Sequence, residues 1–208
     1  MEEIKKEPVT AGLIFLNTLI FLIVEFTGGS ENGQHMLECG AAYAPLILEQ
    51  GEWYRIFSSM FLHFGLPHLV NNMLVLFVMG QRLEPAVGRM RFLLIYLAGG
   101  IGGNIVSLCW DMHTGVFAVS AGASGAVFAV IGGMIYVIIR HKGRVADLTM
   151  RQMIIMAAFH FTSDLPVKVW IMLHMPVECY VVFWWQFLFI IRGKYGRQFH
   201  DPERFLRK

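Results

Sequence analysis

A serine hydroxyl set among small residues can act as a nucleophile, and Ser124 has that setting. It lies in Ser120-Ala121-Gly122-Ala123-Ser124-Gly125. Glycine permits backbone angles closed to other residues and leaves a neighbouring hydroxyl unobstructed. A serine just ahead of a helix also stands beside backbone N–H groups that have no intrahelical partner, and such donors can stabilise an oxyanion. The same stretch fits a plainer role. Gly125, Ala129 and Gly133 recur at every fourth position, a small-residue stripe that lets two helices approach closely in lipid.

A second group of polar residues is His63, His68 and Asn72, within HFGLPHLVNNM. His68 and Asn72 are four apart and share one face of a helix. Polar side chains at membrane depth are costly, so this pair is read either as an interhelical hydrogen bond or as two neutral donors aimed at a developing oxyanion. Zinc fits poorly, because H-x4-H is not a helical ligand spacing, no carboxylate lies near, and there is no H-E-x-x-H. Asp111, Asp147, Asp164 and Asp201 fall at the ends of apolar runs or between them, so no membrane-embedded aspartate pair is available. Serine chemistry remains.

The elements that must position these residues are apolar. The chain is 56% hydrophobic, and its charges sit in short blocks between apolar runs, which is a membrane pattern. Six spans are expected, at 10–28, 69–83, 92–110, 116–139, 150–161 and 177–191. Of the 17 Lys and Arg residues, all but Arg55 and Lys168 fall on one side of this arrangement. That side is the cytoplasm by the positive-inside rule, so both termini are expected inside. The basic start, MEEIKKEP, is followed by no A-x-A-like cleavage site, so the first apolar run reads as a retained span. The long external connection, 30–67, contains GEWYRIFSSMFLHF and is expected to be partly helical and to lie in the outer leaflet, where Trp and Tyr are at home. Cys39, Cys109 and Cys179 form no C-x-x-C or zinc spacing and read as apolar fillers or lone thiols.

Residues from Glu52 to Tyr136, about two-fifths of the chain, resemble the rhomboid family of intramembrane serine proteases. GEWYRIFSSMFLHFGLPHLVNNM is similar to the family's first external loop and second span, and RLEPAVGRMRFLLIYLAGGIGGN to the following turn and third span. SAGASGAVFAVIGG is similar to the G-x-S-G nucleophile motif of the fourth. The resemblance implies that Ser124 is the nucleophile and that His68, Asn72 and the backbone N–H of Ser124 form the oxyanion hole. It implies that Glu52 and Arg55 order the external loop. It also implies a Ser–His dyad without an aspartate, which cleaves transmembrane substrates near the outer face.

The C-terminal part departs from this pattern. The dyad histidine belongs in A-H-x-x-G at the start of span six, where this chain reads VWIMLHMPVECYVVFWW. His174 stands at about the right place, but Pro176, Val177 and Glu178 occupy positions where small residues would let span six pack on span four. Back-translating Val169–Phe183, with each codon begun at the third base of the one before, permits Val-Asp-Asn-Ala-Ala-His-Ala-Gly-Gly-Val-Leu-Cys-Gly-Phe. That is the family's sixth-span motif. The hypothesis is two compensating changes of frame, one near Ser163 and one between Phe183 and Ile190. Resequencing tests it: an uninterrupted gene encoding the residues as they stand would sink it. As the sequence stands, His174 is the base, and His160 is less well placed.

The expected fold is all-α: a rhomboid-like bundle of six membrane helices over 10–192, with a short N-terminal segment at 1–9 and a basic cytoplasmic tail at 193–208. Its cavity must open to the outside, because hydrolysis needs water at Ser124. The expected partners are transmembrane protein substrates and the lipid bilayer, in a plasma (inner) membrane. No metal, other cofactor or nucleic acid is expected. Two rival functions stand beside the protease. One is a catalytically impaired rhomboid-like protein that binds transmembrane helices. The other is a small transporter, which the lack of paired inverted halves argues against.

Overall fold

The computed structural model describes residues 7–140, together with the backbone of 144–145 and 148–149. Its elements are helices α1 (Pro8–Gly28), α2 (Gly33–Glu38), α3 (Ala44–Leu48), α4 (Arg55–Ser58), α5 (Gly65–Val87), α6 (Arg89–Thr114) and α7 (Ser124–Arg140). A 3-10 turn, Ser59–Phe61, continues α4. After α7 a short antiparallel ladder pairs β1 (Arg144–Val145) with β2 (Leu148–Thr149). The apolar sequence pattern does not anticipate this ladder.

α1 and α6 are long and apolar enough to cross a membrane. α5 has 23 residues, so it extends about 35 Å, and the 17 residues of apolar α7 extend about 26 Å. Expected spans one, two and three lie within α1, α5 and α6. The fourth needs correction. The helix starts at Ser124, not at 116, although 116–123 is equally apolar. Ser120 forms an antiparallel bridge with Ala42, each N–H donating to the other carbonyl at 2.9 Å. The backbone N–H groups of Ser120 and Gly122 are therefore satisfied by the connection over 30–67 instead of by helical bonds. Spans five and six, and with them His160 and His174, lie outside the described residues.

The long connection over 30–67 is partly helical, as its sequence suggests. Asn32 caps α2 through Oδ1, which accepts from the N–H groups of Gln34 and His35 at 3.1 and 3.3 Å. Trp53, Tyr54 and Phe57 are exposed on α4 and just ahead of it, as suits a headgroup interface. α4 and its 3-10 turn then meet α5 at 89°. Among the thiols, Cys39 is half-buried and Cys109 exposed, both free, while Cys179 falls outside the described residues. Burial pushes the Cys39 thiol up, and the charge of Glu38 adds to it.

The core forms where α5, α6 and α7 meet the inner face of α1. Phe92, Tyr96, Leu76, Met79, Met134 and Ile138 are fully buried there, while Phe15, Phe26, Leu94 and Ile139 face outward. In lipid, burial of apolar surface drives helices together only weakly, so small residues and polar contacts carry more of the association. Both occur. A Cβ on Gly99 of α6 would stand 2.2 Å from Cβ of Ala129 of α7, and one on Gly103 3.1 Å from Cα of Gly125. The small-residue stripe is thus a close helix crossing. A Gly99→Leu chain is expected to lose at least about 3 kcal/mol, since overpacking here meets backbone as well as side chain. Unfolding in a mild detergent series would measure it, and unchanged resistance would refute the crossing.

Polar contacts also bind α1. Glu84 of α5 is buried, and its carboxylate accepts from the N–H of Val9 (3.1 Å) and from the N–H and hydroxyl of Thr10 (both 2.7 Å). An anion at a helix N-terminus satisfies free donors and complements the helix dipole. Deeper in the bundle, Asn17 donates to Tyr96 Oη at 3.1 Å.

Candidate active site

The sharp corner between the 3-10 turn and α5 brings two histidines to the loop ahead of α7. His63, buried at the corner, accepts the N–H of Ala123 through Nε2 at 3.4 Å. A neutral His63 that accepts at Nε2 carries its proton on Nδ1. His68 follows in the first turn of α5, half-buried, with its ring edge-to-face to that of His63 at 5.2 Å between centroids.

His68 in turn lies against Gly122. A Cβ added there would come 2.7 Å from Cε1 and 2.9 Å from Nε2 of His68. Gly122 also has φ +137, a conformation that favours glycine. Space and backbone angle thus both demand glycine two residues ahead of Ser124. Ser124 itself is half-buried and is the first residue of α7, at the positive end of the helix dipole.

Asn72 is fully buried one turn beyond His68 on the same face of α5. Its Nδ2 donates to the His68 carbonyl at 2.9 Å, and Oδ1 has no partner among the described residues. The amide is therefore turned back on its own helix. Catalytic hydrogen bonds commonly reach full alignment only when substrate is present, so this arrangement leaves a donor role open.

Glu52 and Arg55 lie away from this cluster. Arg55 is buried, donates through Nε to Glu52, and donates through Nη1 to the carbonyls of Leu37 (2.7 Å) and Ala41 (2.9 Å). One guanidinium thus ties α4 to the end of α2 and to the strand-like stretch that pairs with Ser120. Arg suits this task because its fork presents several donors in fixed directions.

The structure therefore brings His63, His68 and Gly122 together, with Ser124 and Asn72 on the helices that flank them. His174 falls outside the described residues. Sequence reasoning missed the structural part of His63, and it missed Ser59 and Asn104. Ser59 accepts the N–H of Gly122 through its carbonyl at 2.9 Å. Asn104 of α6 donates through Nδ2 to the Ile56 carbonyl (2.7 Å) and to Ser59 Oγ (2.9 Å). Asn104 gave one available signal: it is an amide in an otherwise apolar helix, and such residues need a reason.

The chain is also similar in sequence to known proteins. The Rhomboid domain matches residues 50–173, so the match ends just before His174. "Rhomboid protease GluP" of Bacillus subtilis is 40% identical over 137 residues, 66% of this chain and 26% of that protein. "Putative rhomboid protease YdcA" of the same organism is 32% identical over 109 residues, 52% of this chain and 53% of that protein. "Rhomboid-like protease 3" of Toxoplasma gondii is 37% identical over 103 residues, 50% of this chain and 37% of that protein. The matched stretch thus spans between about a quarter and a half of these relatives' lengths. No solved structure matches the chain.

Proposed function

This chain belongs to the rhomboid family, and on that premise we propose that it is an intramembrane serine-type endopeptidase acting on transmembrane proteins. The observation that carries the reading is the fit of the His68 ring against Gly122, two residues ahead of Ser124 at the N-terminus of α7. It puts a nucleophile candidate and a donor candidate against one loop, inside an integral membrane protein.

In the proposed reaction, Ser124 Oγ attacks the scissile carbonyl and gives its proton to His174. His68, Asn72 and the backbone N–H of Ser124 receive the charge that develops on the carbonyl oxygen. The C–N bond then breaks, the amine leaves with the proton from His174, and water hydrolyses the acyl-enzyme. Glu52 and Arg55 order the external loop. The full bundle has six membrane helices in a plasma (inner) membrane, with both termini in the cytoplasm.

A second reading has one specific observation in its favour. His-Met-Pro-Val-Glu at 174–178 lacks the glycine of A-H-x-x-G and puts a carboxylate, Glu178, into the apolar run expected as span six. On that reading the chain captures transmembrane helices without cutting them.

Fluorophosphonate labelling in lipid separates the two. The chain as it stands is compared with one in which the shifted frame over Val169–Phe183 is restored. Labelling of both supports the protease with His174 as its base. Labelling of the restored chain alone assigns the impaired function to the sequence as it stands. Labelling of neither sinks the protease reading.

A further inference from the structure

Ser124 is bracketed by two contacts that come from consecutive residues of α6. On its C-terminal side, Gly125 packs against Gly103, where an added Cβ would stand 3.1 Å from Gly125 Cα. On its N-terminal side, the N–H of Gly122 donates to the Ser59 carbonyl at 2.9 Å, and Ser59 is held by Asn104. We propose that Asn104 is a positioning residue for the reaction: through Ser59 it fixes the Gly122 backbone, and so the placing of Ser124 and the loop that His68 touches. This rests on the reading of Ser124 as the nucleophile.

The chemistry of the contact is specific. Both hydrogens of the Asn104 amide are engaged, one by a carbonyl that can only accept, so the orientation of the amide is fixed by its partners. Ile56 is within α4, close to its C-terminal end, where a tightened turn leaves carbonyls without helical partners, and Asn104 supplies one. The Ser59 carbonyl accepts twice, from Leu62 at 3.2 Å and from Gly122 at 2.9 Å. Ser59 is completely buried, so water does not replace these bonds if the turn shifts. α6 thereby sets both the helix and the loop on either side of the serine, and neither can move without the other.

The test uses the full chain in lipid, with the frame-restored chain carried in parallel. Asn104→Asp keeps the shape but sets an acceptor against the Ile56 carbonyl, which can only accept. Asn104→Ala removes the donors without adding charge, and Asn104→Gln retains them. Amide hydrogen exchange over 120–124 and the rate of fluorophosphonate labelling are measured. Asn104→Asp and Asn104→Ala are expected to raise exchange over 120–124 about tenfold, as the loss of one to two buried hydrogen bonds implies. Labelling should slow by about ten- to a hundredfold, the scale of a small misplacement of reacting groups. α1 should keep its protection, and Asn104→Gln should recover most of both effects.

Exchange over 120–124 within about twofold of the parent in both donor-free variants overturns the proposal, taking less than one hydrogen bond as the threshold. So does loss of protection throughout α1 and α5 in both, which would make Asn104 a prop of the whole fold. A parent chain that fails to label counts against the nucleophile alone, because exchange still decides the clamp.

Discussion

Ser124→Ala in the frame-restored chain is expected to abolish fluorophosphonate labelling while leaving the bundle folded. The probe reports a serine made nucleophilic by its neighbours, and removing the oxygen removes the reacting atom itself. In a soluble serine protease, loss of the nucleophile costs roughly 10^6-fold in kcat, and no compensating group takes over. The cost to stability should be small, under about 1 kcal/mol, because Ser124 is only half-buried and alanine is a good helix former. Thermal unfolding and probe labelling on the same sample separate the two effects. Labelling that persists in Ser124→Ala would show that another residue reacts, and the assignment of the nucleophile would fail.

Gly122→Ala should also cut the rate, less steeply and by a different route. Its φ of +137 would strain any side chain, at about 1–3 kcal/mol. The added methyl would also stand 2.7 Å from His68 Cε1, so the imidazole must move. Displacing one oxyanion donor costs about 10^2- to 10^3-fold in kcat. The two causes can be told apart with Gly115→Ala. Gly115 also has a positive φ, +67, but nothing lies within 4 Å of the added Cβ, and it sits at the far end of α6. Gly115→Ala should lose stability and keep its labelling rate per folded molecule. Equal loss of rate in both variants would refute the contact with His68 as the cause.

The difference between these glycines marks how far the sequence could be read. Apolar runs of the right length located α1, α5 and α6, because a membrane span is a local property of composition. The same rule misjudged 116–123, whose apolar side chains belong to a stretch bridged to Ala42. Hydropathy registers side chains and is blind to which backbone groups answer which. Ser124, His68 and Asn72 could be singled out as candidates because motif and i,i+4 spacing are also local. Ser59, Asn104, Glu84 and Tyr96 were not, since their partners lie far away in sequence. Asn104 meets Ile56 across 48 residues, and Asn17 meets Tyr96 across 79. Nothing in the immediate sequence of either residue names its partner.

The seat of Glu84 on the first turn of α1 has a consequence for how the protein is made. The donor at Thr10 and the carboxylate that answers it are 74 residues apart. At a synthesis rate of about 5–20 residues per second, α1 waits roughly 4–15 s before its partner exists. During that interval its leading N–H groups must rest on water or on lipid headgroups, which holds the helix end at the membrane surface. Completion of α5 then draws it into place. The nascent chain therefore has a built-in order of assembly, in which α1 is seated only once α5 has been made.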